Sequence, residues 1–377
     1  MESLAAIWGF LGGYILPFII VLSLIVFVHE MGHYLAGRWC GIRILTFSLG
    51  FGPELIGFND RHGTRWKISA IPLGGYVKFF GDEDASSKPD MTAMEQMSER
   101  ERGQSFHGAK LWKRAVAVAA GPFANFVLAI CIFATMFFIF GKPVTDPVVA
   151  DVKAGSAAQS ADIRPGDTIV SLDGEPVATF ADIQRYVAVR PGIEIAVGLK
   201  RDAETLVIPV TPRATEVEDR FGNKMEIGVF GIMTDQESGN SRIVTLGPAA
   251  ALKEGVVQCW HIVTGTFDYL ANLVTGRMKA DQLGGPVRVA QASGEMASLG
   301  FVALLQLAAV LSVSVGLLNL MPVPVLDGGH LVFYAVEAIR GKPVGETTQE
   351  VAFKIGLAMV LSLMVFATWN DIARLLS

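Results

Sequence analysis

Within the first apolar run the chain reads Val26-Phe27-Val28-His29-Glu30-Met31-Gly32-His33-Tyr34. On a helix, His29 and His33 stand four residues apart on one face. Two imidazoles so placed can bind one zinc ion at about 2.0 to 2.1 Å, and the neighbouring Glu30 can reach a water on that ion as general base. A chance HExxH pentapeptide is the bland alternative. Its position argues against chance, because an ionisable group deep in a membrane-spanning helix costs about 2.5 to 3.5 kcal/mol, and three polar side chains in five residues need a functional compensation.

The elements that must position these residues are apolar. Of 377 residues 51% are hydrophobic and only 18% charged, against about a quarter charged in soluble domains. The net charge of -5 offers no basic field for nucleic acid. Cys40, Cys131 and Cys259 lie far apart, so neither a disulfide framework nor a thiolate zinc site is indicated. Uncharged stretches run over 3–28, 115–141, 296–326 and 355–370. The first three are long enough to span hydrocarbon, and residues 351–353 lengthen the fourth past Lys354, whose side chain can snorkel. The expected domains are a first transmembrane helix (1–36), a loop (37–114), a second helix (115–141), a polar domain (146–213), a linker with an interfacial helix (214–295), a third helix (296–330) and a fourth (351–373). Residues 37–114 carry twelve Lys and Arg. That bias puts this loop in the cytoplasm and both termini and the 142–295 segment outside. The first run lacks a basic leader and a small-residue cleavage site, so it reads as a span and not as a removed signal peptide.

Two histidines leave tetrahedral zinc one protein ligand short, with the fourth position kept for water or substrate. Spans one and three run in the same direction, and the third ends in Asn319-Leu320-Met321-Pro322-Val323-Pro324-Val325-Leu326-Asp327-Gly328-Gly329-His330. Asp327 is the natural third ligand, and His330 is an alternative ligand or a hydrogen-bonding neighbour. The two prolines interrupt the helix, and irregular backbone at membrane depth is tolerated only where protein or a wet cavity covers it. A plain juxtamembrane turn at Asp327-Gly328 is the bland reading. His62, His107 and His261 read as ordinary histidines outside the site.

These motifs resemble the site-2 protease family of intramembrane zinc metalloproteases. Gly50-Phe51-Gly52-Pro53, Ile71-Pro72-Leu73-Gly74-Gly75-Tyr76-Val77-Lys78 and Gly121-Pro122-Phe123-Ala124-Asn125 extend the resemblance to its bacterial regulator-of-sigma-E branch. The resemblance implies a polytopic α-helical protein of the bacterial inner membrane, with the active site near the cytoplasmic side. It implies His29, His33 and Asp327 as ligands of Zn2+, Glu30 as base and Asn319 as a polar contact to substrate. It also implies single-span membrane proteins as substrates, such as a pre-trimmed anti-sigma factor or remnant signal peptides, cut in regulated intramembrane proteolysis to release a cytoplasmic fragment.

Residues 146–213 resemble one PDZ domain, from Gly155-Ser156-Ala157-Ala158 and Ile163-Arg164-Pro165-Gly166-Asp167 followed by strands over 194–200 and 205–211. No Gly-Leu-Gly-Phe loop is evident, so a peptide binder and a filter against bulky ectodomains stay equally open. Residues 46–58 and 65–80 suit bent strands of a membrane-dipping β-hairpin. A helix must be unwound before it is cut, because its backbone groups are paired internally. The hairpin is expected to clamp the unwound chain by edge pairing, with Gly74, Gly75 and Tyr76 as contacts; an ordinary amphipathic hairpin is its rival. A metal transporter would need polar groups across the whole membrane, whereas here they gather at one level. A non-catalytic scaffold would leave Glu30 unexplained.

Overall fold

The computed structural model describes residues 11–83, 96–202, 204–218, 224–234, 241–274 and 284–376. A π-helical turn, Leu11–Ile15, leads into α1 (Leu16–Trp39), followed by β1 (Ile44–Asn59), β2 (Arg65–Phe79), α2 (Glu99–Gln104) and α3 (Leu111–Phe140). The polar middle holds β3 (Lys142–Thr145), β4 (Asp151–Val152), α4 (Ala157–Ser160), β5 (Thr168–Leu172), β6 (Glu175–Pro176), α5 (Phe180–Ala188), β7 (Ile195–Arg201), β8 (Glu204–Val210), β9 (Arg213–Glu218), β10 (Lys224–Val229), β11 (Ile232–Met233) and β12 (Ser241–Val244). Helices complete the chain: α6 (Pro248–Val274), α7 (Pro286–Ser298), α8 (Phe301–Asn319), α9 (Asp327–Arg340) and α10 (Glu346–Leu376). Two compact units result, a helical one of residues 1–135, 251–271 and 283–377, and a strand-rich one of 136–250 and 272–282.

Among the described residues four helical stretches are long and apolar enough to cross a membrane, Gly12–Trp39, Leu111–Phe140, Phe301–Asn319 and Thr347–Ala373. The C-terminal end of α1 is set by Gly41, whose φ of +79 gives the left-handed cap that a side chain would resist. The expected third span, 296–330, is divided. Gly300, at φ +112, separates α7 from α8, and a turn over 320–326 separates α8 from α9, so Asp327 opens a helix of its own. The two prolines explain the second break: each lacks an N–H and disfavours helix in the residue before it. Gly328 and Gly329 let the turn close, since a Cβ there would stand 2.3 Å from the carbonyl oxygens of Leu320 and Val323 respectively.

The expected hairpin is more folded than two strands. Phe47, Ser48 and Leu49 face Val77, Tyr76 and Gly75 on one side and Trp66, Lys67 and Ile68 on the other, while Ile56 to Asn59 face Ile68 to Arg65. The two strands thus bend into four rows, with 75–79 on one outside edge. Gly50 and Gly52, at φ +93 and +85, make the bend. Tyr34, Phe47, Val77, Phe79, Phe106, Val118 and Tyr334 pack these rows against α1, α3 and α9.

In the strand-rich unit the sheet runs β6-β5-β7-β8, over a core of Ile169, Leu172, Ile195, Val197 and Leu199. The expected boundary at 213 falls inside this unit. Phe230 belongs to the same core, β9 pairs with β10, and β11 pairs with β4. The first part of the expected 214–295 linker is therefore folded onto the domain; the alternating apolar and polar residues of 224–229 were the available signal.

Candidate metal centre

The last turns of α1 bring His29, Glu30 and His33 inward, each 8% exposed. The close approach of α3 depends on glycines. A Cβ at Gly32 would stand 2.3 Å from the carbonyl oxygen of Ala120, and one at Gly121 2.3 Å from Nε2 of His33. With both positions bare, Nδ1 of His33 donates to the carbonyl of Ala117 at 2.9 Å, which turns a lone pair on Nε2 into the site. The Asn125 amide stands 3.3 Å from Nδ1 of His29. The atom facing the ring is Nδ2, while Oδ1 is buried without a partner among the described residues. Exchanging the two ends of the amide, which are alike in shape, satisfies Oδ1 by letting it accept the Nδ1 proton, and that leaves Nε2 of His29 as a lone-pair donor. The hydroxyl of Ser312, on α8, donates to the Asn125 carbonyl at 2.8 Å and ties the third helix to the same point.

Nε2 of His33 lies 3.2 Å from Nε2 of His29. Oδ2 of Asp327 lies 3.2 Å from His29 Nε2 and 3.6 Å from His33 Nε2, yet it is buried without a hydrogen bond among the described residues. Three atoms that can each offer a lone pair to a metal converge here within 4.8 Å of one another. Zinc bonds of about 2.0 to 2.1 Å at tetrahedral angles put donors roughly 3.3 Å apart. The observed spacing fits a zinc ion, and the unsatisfied Asp327 oxygen is the atom such an ion would complete.

These groups open on a cavity of about 610 Å³. Glu30, Asn319, Gly75 and Tyr76 line it with the three donors. Gly75 is backed against α1, where a Cβ would meet Glu30 Cγ at 3.0 Å. Gly74 does not line the cavity; it faces the Phe51 ring and holds φ +133. His330 lines the wall but stands outside the donor cluster, with its ring 5.2 Å from that of Phe353. The sequence reading overlooked Ala117 as an acceptor and the α10 wall of Glu350, Phe353, Lys354 and Leu357. A polar Asn125 within an apolar span was the available signal for the histidine support.

A bundle with four apolar, membrane-length helices that aims two histidines and an aspartate at one point, with a glutamate beside them, has the donor set and base of a zinc peptidase. The profile of peptidase family M50 matches residues 17–363, and the chain belongs to that family, the site-2 proteases. Atu1380 of Agrobacterium fabrum, assigned by name to the zinc metalloproteases, is 65% identical over 376 residues, which is 100% of both chains. Metalloprotease MmpA of Caulobacter vibrioides is 38% identical over 376 residues, 94% of each. The PDZ domain of an SdrC-like protein from Listeria monocytogenes matches 22% of this chain and 82% of its own at 20% identity, with a TM-score of 0.18, a likeness too slight to carry an assignment. The protein is a zinc metalloprotease of the membrane.

Proposed function

We propose that the chain is an intramembrane endopeptidase that cuts unwound transmembrane segments of single-span proteins and releases a cytoplasmic fragment. His29, His33 and Asp327 hold the zinc, and Glu30 is the general base. The observation that carries this reading is the convergence of three donors and Glu30 on one cavity bordered by the 75–79 row. When bound, zinc supplies Lewis acidity, acidifying water and polarising the scissile carbonyl. Glu30 takes the proton of the attacking water and returns it to the leaving amine. Asn125 and the Ala117 carbonyl hold both imidazoles in the tautomer that presents Nε2. The outside edge of 75–79 pairs with the extended substrate, and Asn319 and Tyr76 contact it from the wall.

The twelve basic residues of 37–114 support a cytoplasmic position for this loop and the site, with the termini and the PDZ-like unit on the far side of a bacterial inner membrane. Purified full-length protein should cut a transmembrane peptide, lose activity to a zinc chelator and regain it with zinc. Glu30→Gln should keep the metal and lose about a hundred- to ten-thousandfold in rate. Cleavage that persists in Glu30→Gln would sink the assignment. Proline placed along 75–79 should abolish cleavage if that edge pairs with substrate; uniform tolerance would reject the clamp.

A further inference from the structure

The three donors come from two bodies that no continuous helix joins. His29 and His33 ride on α1 and are backed by α3, whereas Asp327 opens α9 behind the Pro322-Pro324 turn. The turn holds only short-range backbone bonds, such as Leu326 N–H to the Val323 carbonyl at 2.8 Å, and no continuous helical ladder crosses its two prolines to carry the orientation of α8 into α9. The error matters: about 10° of rotation carries a carboxylate some 5 Å off a helix axis through roughly 1 Å, while metal ligation tolerates about 0.2 Å. Something beyond the turn must hold α9 in register with α3.

Both helices carry a stripe that begins at the donor cluster. On α9, Asp327, Tyr334 and Glu337 lie at intervals of seven and three residues, and on α3, Asn125, Gly121, Ala117 and Arg114 at intervals of four, four and three, so each set shares a helix face. At the cluster end these stripes meet through His33. At the other end, roughly 15 Å along α9, Nη2 of Arg114 donates to Oε1 of Glu337 at 2.6 Å. The same guanidinium lies 5.1 Å from the centre of the Tyr334 ring. The Arg114 and Glu337 side chains are 14% and 17% exposed, so bulk water competes weakly for the pair. An Arg can meet a carboxylate with its edge and an aromatic ring with its face at once, which a Lys cannot do.

We propose that Arg114 and Glu337, with Tyr334 under the guanidinium, form a clamp that sets the rotation of α9 and so aligns the Asp327 carboxylate with the two imidazoles. They are positioning residues for the third metal donor. The inference rests on the reading that His29, His33 and Asp327 hold zinc.

The test uses full-length protein in detergent, stripped of metal and titrated with zinc in competition with a chromophoric chelator, and with cobalt(II) for its absorption bands. Glu337→Gln keeps the shape and removes the charge. It should weaken zinc binding about ten- to a hundredfold and shift the cobalt bands, with little change in the melting temperature of the metal-free protein. At saturating zinc its kcat should recover and its KM should stay at the wild-type value. Exchanging the charges, Arg114→Glu with Glu337→Arg, should restore most of the affinity. In an Asp327→Ala background Glu337→Gln should cause no further loss, because its effect passes through Asp327. Wild-type affinity and cobalt bands in Glu337→Gln, or an equal loss in the Asp327→Ala background, would overturn the clamp while leaving the ligand set intact. Wild-type zinc affinity in Asp327→Ala alone would overturn both.

Discussion

Asp167 in the strand-rich unit and Asp327 in the helical unit are both shielded carboxylates, with side chains 2% and 18% exposed. Asp167 is complete. It accepts from Nε and Nη2 of Arg201, each at 2.8 Å, and from the backbone N–H of Arg164 at 2.8 Å. Asp327 is the more exposed of the two and still has an oxygen without a hydrogen bond among the described residues, though two imidazole nitrogens stand close to it. Satisfied buried polar groups occur in both units, as Asp371 shows by accepting from the Gly285 and Arg288 N–H, but the unsatisfied Asp327 oxygen sits beside a cluster of buried polar side chains. Ser156, the other buried polar residue described in the strand-rich unit, caps α4 by accepting from the Gln159 N–H, whereas His29, Glu30, His33 and Asn125 are gathered into one small region on α1 and α3. Polar groups that serve stability are satisfied within the fold, and a buried group left short marks where something else must bind.

The contrast predicts opposite responses to the same kind of change. Asp327→Ala should weaken zinc binding by about two to three orders of magnitude, leaving the residual affinity of the two histidines, and lower peptide cleavage by roughly three orders of magnitude or more, with the metal-free protein as stable as wild type. A variant that kept wild-type zinc affinity would break the contrast. Gly121→Ala comes next. Its methyl would stand 2.3 Å from Nε2 of His33, so the ring must leave the position in which Ala117 accepts from it. Zinc affinity should fall about tenfold or more, and a titration that matched wild type would show that α3 gives way instead.

How much of this was legible in the sequence follows from which interactions are local. The HExxH pair depends only on helical spacing, so it could be read before any fold was known. Asp327 was reachable because prolines and an acid at the end of an apolar run are costly without a reason. The separate helix it opens was not, since apolarity alone does not distinguish one long span from two helices joined by a turn. The four-row sheet was also hidden. Thr46 to Leu49 pair on both sides, a non-local arrangement that period-two alternation cannot express. The roles of Gly32 and Gly121 were out of reach for the same reason, because a glycine is needed there only by what approaches it.

Asp167→Asn sharpens the other side of the contrast. Burial pushes this carboxyl up, but Arg201 and the Arg164 N–H more than offset that and hold it below its usual range. Removing its charge strands Arg201 and should cost roughly 2 kcal/mol, seen as a lower melting temperature. Zinc affinity and kcat should stay unchanged, and a change in either would mean that the two units do not divide stability from chemistry.

Asp60 gives the smallest effect and tests whether a satisfied carboxylate inside the helical unit behaves like Asp167. Partial burial raises its pKa, but the Thr64 N–H, the Trp66 indole, the Tyr34 hydroxyl and the His62 N–H outweigh it, and the group falls from 3.8 to about 2. A carboxyl depressed on folding contributes stability above its unfolded pKa and loses it as pH falls through the folded value. The window is therefore about pH 4 down to 2. With allowance for the water that still reaches it, the contribution at neutral pH is about 1 kcal/mol. Asp60→Asn should melt a few degrees below wild type at pH 7, and the two curves should converge as the pH drops toward 2. A gap that stayed constant from pH 7 to 2 would show that the bonds to Asp60 do not depend on its charge, and that the depressed carboxyl adds nothing to the stability of the turn it organises.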